Sequence, residues 1–464
     1  MSIATPAQQL PTLGDAASGH ISLQQEHDLG RLWLRQLRAH TNVLDDPLAV
    51  QFIENTIYRM VPYSEVQIND FEFVIVDQKE LNAFAVPGGI IGINFGLFLH
   101  TQDEDELSAV LAHELAHLSQ RHFSRRLEQA DRQAPIAIAT LLASILLIAT
   151  NNPDAGIAGL IGSQAASIQS QLAYSREWER EADRLGMQVL ADADLDPSAM
   201  PSMFQQMLIA SRYQQRPPEF LLTHPITESR ISGAADRAEQ YPTKPRTKSF
   251  EFRILQNKAL STYRLYGDQT FVHFKQVAER ANKDSIERAA AQYSLAELYL
   301  QQDKAEEALQ YWQGIPKPYQ GRNASIALHA SILQALNQSE KALKLLNDAI
   351  PFSPNDYQLL TTQATLLQQQ GKLVESRNAW RRLATQKPTN PFVWKQLSYV
   401  ASKTNQKALA YRANAEFLFY SGQHQQALRQ MDLAQKQAEV EGDLRLQLAI
   451  KQRQHVMASA PSRF

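Results

Sequence analysis

His113-Glu114-Leu115-Ala116-His117 carries the chemistry of this chain. The two histidines are four residues apart, and on a helix positions i and i+4 share one face. Both imidazoles can therefore bind a single zinc ion. Glu114 can lie beside the water that completes the metal's coordination and act on it as a base. This is the equipment of metal-assisted peptide hydrolysis.

Two histidines leave such a metal short. Catalytic zinc takes three protein ligands and keeps a fourth position for water. One solution extends the motif to HExxHxxGxxH. It is excluded here, because Gln120 and Phe123 stand at the required positions and His122 is one residue out of register. The other solution takes a glutamate from a later helix. The segment Glu177-Trp178-Glu179-Arg180-Glu181-Ala182-Asp183 offers it. Glu179 and Asp183 are four apart and share a helix face. Glu179 can bind the metal while Asp183 accepts a hydrogen bond from a ligating imidazole and so fixes its tautomer. Glu177 and Glu181 then point elsewhere, to solvent or to arginine neighbours. A further candidate is His224-Pro225, followed by Arg230, on a loop after Pro217-Pro218 that leads into a helix. Two readings stay open for His224. With Arg230 it can polarise the oxyanion of a tetrahedral intermediate. Alternatively it occupies the open metal position and switches the site off.

The surrounding pattern supplies elements to position these groups. Asp103-Glu104-Asp105-Glu106 suits the first turn of a helix, where the macrodipole favours negative charge. Leu107, Val110, Leu111, Leu115 and Leu118 then recur at helical spacing. Residues 20–60 read as amphipathic helix. Residues 71–77 and 90–94, with Asn82-Ala83-Phe84-Ala85 between them, read as short strands around a Pro87-Gly88-Gly89 turn. The 90–94 strand is expected to take an extended substrate as an added strand, with Gly88 and Gly89 permitting close backbone approach. Residues 104–240 are helical in pattern. Within them, 134–150 is uncharged and apolar but short for a bilayer span of about 20 residues. We expect 134–168 to form a helical hairpin, buried or lying over the active site, and able to touch a membrane surface peripherally.

After 241–249, a Pro-rich polar linker, the composition shifts to Gln, Ala and Leu. Ala308, Ala342, Ser376 and Ala410 lie 34 residues apart. So do Ala296, Ala330 and Ala364, and Trp312, Leu346 and Trp380, and also Pro354 and Pro388. This period resembles the tetratricopeptide repeat, a helix-turn-helix unit whose small residues let paired helices approach. The phase then slips: Gly422 and Ala427 arrive half a repeat early. Stacked repeats are expected to form a curved surface that holds a partner.

The chain has 464 residues, a net charge of −2 and no cysteine. Length allows two to four domains. The charge gives no reason to expect nucleic acid. The lack of cysteine excludes disulfides, thiolate ligands and a cysteine nucleophile. Residues 1–19 are polar and read as a flexible N-terminus without a secretory signal, so the protein is either cytosolic or has lost such a signal.

Four motifs together are specific: HExxH, then ExxxD at Glu179 and Asp183, then HPxxxxR at His224 and Arg230, preceded by NAFAxPGG at 82–89. Over residues 20–240 they resemble the HtpX-like and CAAX-prenyl-endopeptidase family of zinc metallopeptidases. With the C-terminal repeats, the whole chain is similar to a periplasmic branch of that family. The resemblance implies one zinc per chain on His113, His117 and Glu179, with Glu114 as base. It implies a periplasmic location and proteolysis of stalled outer-membrane proteins. It also implies a chaperone-like role in their assembly, with the unfolded proteins and the β-barrel assembly machinery as partners. Lastly, it implies His224 as a fourth, self-inhibiting ligand. The expected fold is mostly α: a metallopeptidase domain with a small β-sheet over 20–240, then an α-solenoid of TPR-like repeats over 250–464. The competing class is a repeat scaffold or chaperone whose peptidase domain is latent.

Overall fold

The computed structural model describes residues 22–68, 70–129, 143, 145, 146, 175–212 and 219–461. The expected hairpin at 134–168 lies outside the described residues, apart from Ala143, Ile145 and Leu146. So do residues 1–19 and the Pro217-Pro218 turn.

The chain opens with α1 (Leu23–His40) and α2 (Pro47–Met60). Ser22 and Gln25 form a reciprocal capping box on α1, and Asp46 caps α2 just before a proline at its first turn. The buried face of α2 carries Leu48, Phe52, Ile53, Ile57 and Met60, which recur at helical spacing.

Three strands follow: β1 (Glu72–Val76), β2 (Ala83–Val86) and β3 (Ile90–Asn94), in the order β1-β3-β2. β3 is therefore central, parallel to β1 and antiparallel to β2, and all its residues are buried. This corrects the expectation that 90–94 accepts a substrate strand, because both its edges are already paired. The edge strands are β1 and β2, and the outer side of β1 is bridged by Val43. Gly88 and Gly89 make the turn at φ +80° and +79°. A Cβ on Gly88 would lie 2.7 Å from the Cα of His27, and one on Gly89 would lie 2.9 Å from the Asp70 carbonyl. The close approach these glycines permit is thus to the chain's own α1 and pre-β1 loop.

The metal-motif helix is α3 (Glu104–Ser119), capped by the Asp103 carboxylate on the Glu106 N–H. Every residue from 105 to 118 is buried, so this helix is a central rod with neighbours on all sides. Next come α4 (His122–Gln129), α5 (Arg176–Asp192), α6 (Ala199–Arg212), the short α7 (Glu219–Thr223) and α8 (Glu228–Ala238). α5 crosses α3 closely. At the crossing stands Gly186, whose added Cβ would sit 3.1 Å from the backbone of Ala112 and His113. Glu179, Asp183 and Gly186 fall at i, i+4 and i+7, one stripe of α5 turned toward α3.

Beyond the linker, α9 (Phe250–Tyr263) packs into the same core. Phe250, Phe252, Ile254 and Leu255 join one buried cluster with Phe52, Phe98, Leu111 and Met203. The linker itself is strapped down. The Thr247 N–H donates to Asp105, and Arg246 reaches Asp196 at 2.9 Å.

A helical repeat region follows. Its pairs are Ile286–Gln301 with Ala305–Gln313, Asn323–Ala335 with Ser339–Ala349, Tyr357–Gln369 with Leu373–Gln386, and Pro391–Lys403 with Lys407–Tyr420. Ala308, Ala342 and Ser376 fall on second helices, and Ala296, Ala330 and Ala364 on first helices, all fully buried. Each of these pairs turns on a residue with positive φ: Asp303, Asn337, Gly371 and Asn405, again 34 apart. Asp, Asn and Gly are the residues that tolerate this region. The phase slip is real: the turn at Gly422 leads directly into His424–Glu441. It occurs where the repeats fold back onto α1. A Cβ on Gly422 would meet the Arg35 carbonyl at 2.4 Å. Arg35 donates to the Pro461 carbonyl, Arg38 to that of Thr389, and Lys387 pairs with Glu54. Among the described residues no helix is long and apolar enough to cross a membrane.

Candidate metal centre

Helical spacing puts the rings of His113 and His117 side by side, with their Nε2 atoms 3.0 Å apart. The α5 stripe brings Glu179 to 3.5 Å from each of those atoms. His224, just past α7, places its Nδ1 2.9 Å from Glu179 Oε1 and 3.3 Å from His113 Nε2. One ligating atom from each of these four residues falls within 4.8 Å of the others, and all four residues are buried.

The donor chemistry fits a divalent cation. Zinc–ligand bonds of about 2.0–2.2 Å give tetrahedral edges of about 3.4 Å, close to the separations seen here. On the outer side, His113 Nδ1 lies 3.0 Å from Asp183 Oδ1, a carboxylate placed to draw the ring proton to that nitrogen. A neutral His113 therefore turns a bare Nε2 lone pair inward. Burial pulls the His113 imidazole down, but Asp183 and Glu179 outweigh it and lift it to about 9. Positive charge is wanted at this point. Burial drives His117 well below the usual histidine range, which suits a ligand that must be neutral. Burial would raise Glu179, but His224 and Arg230 hold it well below the usual carboxylate range.

Arg230 organises the outer side. Its Nε and Nη2 take both oxygens of Asp183 at 2.8 and 2.7 Å. Its Nη1 lies 2.7 Å from Glu179 Oε2 and donates to the Pro225 carbonyl at 2.9 Å. The guanidinium also lies over the Phe204 ring. Arg230 is thus committed to two acids and to the loop that carries His224. Phe220 of α7 stacks on the His224 ring and fixes its plane.

Glu114 sits beside the cluster. Its carboxylate accepts the Ala85 N–H of edge strand β2, and burial raises its pKa. Its Oε1 lies 3.4 Å from His224 Nε2. All seven sequence-derived candidates are therefore in one place: His113, Glu114, His117, Glu179, Asp183, His224 and Arg230.

Two more residues belong to the neighbourhood. His122 Nδ1 lies 2.8 Å from His117 Nδ1, and His122 Nε2 lies 3.0 Å from Glu181 Oε2. Burial pushes His122 down to about 4, so its ring is neutral near pH 7. The sequence reading sent Glu181 to solvent or to arginines. It does pair with Arg125, but also with His122. The available signal was a histidine five residues beyond the motif. Ala85 and Phe220 carried none, because a backbone N–H and a packing ring are set by topology.

Residues 47–238 match Peptidase family M48. The chain is 31% identical to the beta-barrel assembly-enhancing protease of Escherichia coli K12 over 437 residues, covering 94% of this chain and 89% of that one. It is 33% identical to the Yersinia pestis protein of the same name, over 91% and 87% of the two chains. Mitochondrial metalloendopeptidase OMA1 of Schizosaccharomyces pombe is 27% identical over 180 residues, 39% of this chain and 50% of its own. The chain belongs to peptidase family M48, and it is a metalloendopeptidase resembling the beta-barrel assembly-enhancing proteases.

Proposed function

We propose that this chain is a zinc-dependent endopeptidase in which His113, His117 and Glu179 hold one zinc ion, Glu114 is the base, and His224 closes the fourth corner at rest. The convergence of four buried donor residues supports this most directly. Bound zinc supplies Lewis acidity at the scissile carbonyl and lowers the pKa of water toward neutrality. Glu114 takes a proton on its carboxylate from the attacking water and later delivers it to the leaving amine. Its buried carboxyl, raised above the exposed value, makes it a stronger base. The Ala85 N–H holds it in place. Asp183 keeps the outer proton of His113, and Arg230 keeps Asp183 and Glu179 ionised. β2 is an edge strand beside Glu114, so an extended substrate can be laid along it.

The fourth corner decides whether the enzyme runs. Three histidines and a glutamate leave no position open. His224 also faces Glu114, so one ring covers both metal and base. This arrangement favours a resting state that is silent until the His224 loop moves. A latent peptidase on a repeat scaffold is the same molecule with that loop never released.

The natural role follows from the relatives' names. We propose work in the periplasm on outer-membrane β-barrel proteins, degrading misassembled chains and assisting productive ones as a chaperone. The TPR-like repeats would hold unfolded or stalled outer-membrane proteins and the β-barrel assembly machinery. Elemental analysis of the full chain tests the site. One zinc per chain is expected, with much of it lost in Glu179→Gln and kept in Glu177→Gln. The reverse pattern removes Glu179 from the ligand set.

A further inference from the structure

The two histidines of the motif need the same thing from their surroundings: an acceptor for the Nδ1 proton, so that Nε2 is left bare on the inner side. His113 has Asp183. His117 faces another histidine. We infer that His122 is the positioning residue for His117, accepting its Nδ1 proton and being itself oriented by Glu181. This rests on the metal site proposed above and adds residues that serve it.

The proton assignment follows from geometry. Two ring nitrogens 2.8 Å apart share one proton, so one donates and the other accepts. The other nitrogen of His122 lies 3.0 Å from a Glu181 oxygen, and an ionised carboxylate only accepts. His122 therefore carries its proton on Nε2 and offers a lone pair at Nδ1. His117 must be the donor at its Nδ1. That leaves His117 Nε2 unprotonated, facing His113 and Glu179.

The fold is built to hold this chain of contacts. The His122 ring is fully buried and stacks on Trp178, with centroids 5.5 Å apart and planes 11° apart. Arg125 donates to the same Glu181 oxygen at 3.0 Å, and its guanidinium lies over the same Trp178 ring. His122 reaches His117 only because the backbone reverses between α3 and α4. Arg121 makes the reversal in the left-handed region, at φ +50°. That conformation is unfavourable for an arginine. Its guanidinium is fastened to Glu26 of α1 at 2.7 and 3.0 Å, and Ser124 holds the same carboxylate. α5 then serves both motif histidines from alternate residues, with Glu179 toward the metal, Asp183 on His113, and Glu181 on His117 through His122.

The test is zinc affinity of the full chain, by competition with a chromophoric chelator, together with the visible spectrum of the cobalt-loaded protein. Loss of an outer partner lowers metal affinity by roughly 10–100-fold, and we expect this for His122→Phe, with a shifted cobalt spectrum. His122→Asn should recover part of the affinity, because its side-chain oxygen can accept where phenylalanine cannot. Glu181→Gln should weaken binding less than His122→Phe, since an amide oxygen still accepts but carries no charge. A merely structural His122 would lower the urea midpoint and leave zinc affinity and spectrum unchanged, and that result overturns the inference. Should His122→Phe fail to fold, Glu181→Gln decides alone, and unchanged affinity there is equally fatal. A folded wild type that takes no zinc overturns the metal site and this inference together. A wild type that binds zinc, with all three variants binding equally, overturns only the role of His122.

Discussion

A carboxylate pair as buried as Glu179 and Asp183 is stable only while something cancels its charge. Arg230 does this for both, and through the Pro225 carbonyl it also anchors the loop bearing His224. Removing one partner of a buried ion pair costs about 3–5 kcal/mol, because the other charge is left stranded. Arg230→Met is therefore expected to lower stability by about that amount in urea unfolding. A cost below about 1 kcal/mol, the range of an exposed pair, would show that the site is wet. His224 makes a sharper case, since its two readings predict opposite signs. Closure of the fourth corner predicts that His224→Ala cleaves casein faster than the wild type. An oxyanion role predicts a loss of roughly 10²–10³. The geometry favours the first, because His224 touches Glu179 and Glu114 together and Arg230 is already spent on two acids.

Between elements, the decisive contact is the crossing of α5 over α3. Gly186 allows it: beside the mobile end of Met200, the neighbouring atoms are the backbone of Ala112 and His113, which cannot move without moving His113. Gly186→Val should overpack the crossing at a cost of about 1–3 kcal/mol and weaken zinc binding as Glu179 is pushed outward. Unfolding in urea and chelator competition read the two effects separately, and unchanged values in both would remove the crossing from the account. Much at this scale was legible. The acidic run announced the start of α3, the i, i+4 pairs announced two faces, and a 34-residue period announced the repeats. Strand order was not legible, because periodicity marks a strand but not its neighbours. That is why 90–94 looked like a free edge and proved to be the centre of the sheet. His122 was discounted for a similar reason. It was judged by its register along α3, whereas a left-handed residue at Arg121 ends that register and turns the ring back.

Across the whole molecule, the Pro-rich stretch at 241–249 reads from sequence as a linker between a 20–240 peptidase domain and a 250–464 repeat domain. Its anchors to Asp105 and Asp196, and the shared cluster around Phe52, Phe98 and Phe252, argue for two functional parts on one cooperative body. Limited trypsin digestion should cut slowly there, and the fragments should elute together under native conditions. Fast cutting with separating fragments would contradict this. At the other end, Gly422→Ala would force a Cβ against the Arg35 carbonyl at a positive φ. We expect a loss of about 1–3 kcal/mol and faster proteolysis of the last two helices. Through α1, which carries both Arg35 and Glu26, that docking reaches the turn beside the metal site. The central claim remains chemical. Casein cleavage by the zinc-loaded full chain, wild type beside Glu114→Gln, tests it most directly. The variant should keep its zinc and its fold yet lose about 10²–10⁴-fold in rate, because an amide cannot accept the water's proton. A Glu114→Gln protein that cleaves at the wild-type rate would contradict the account.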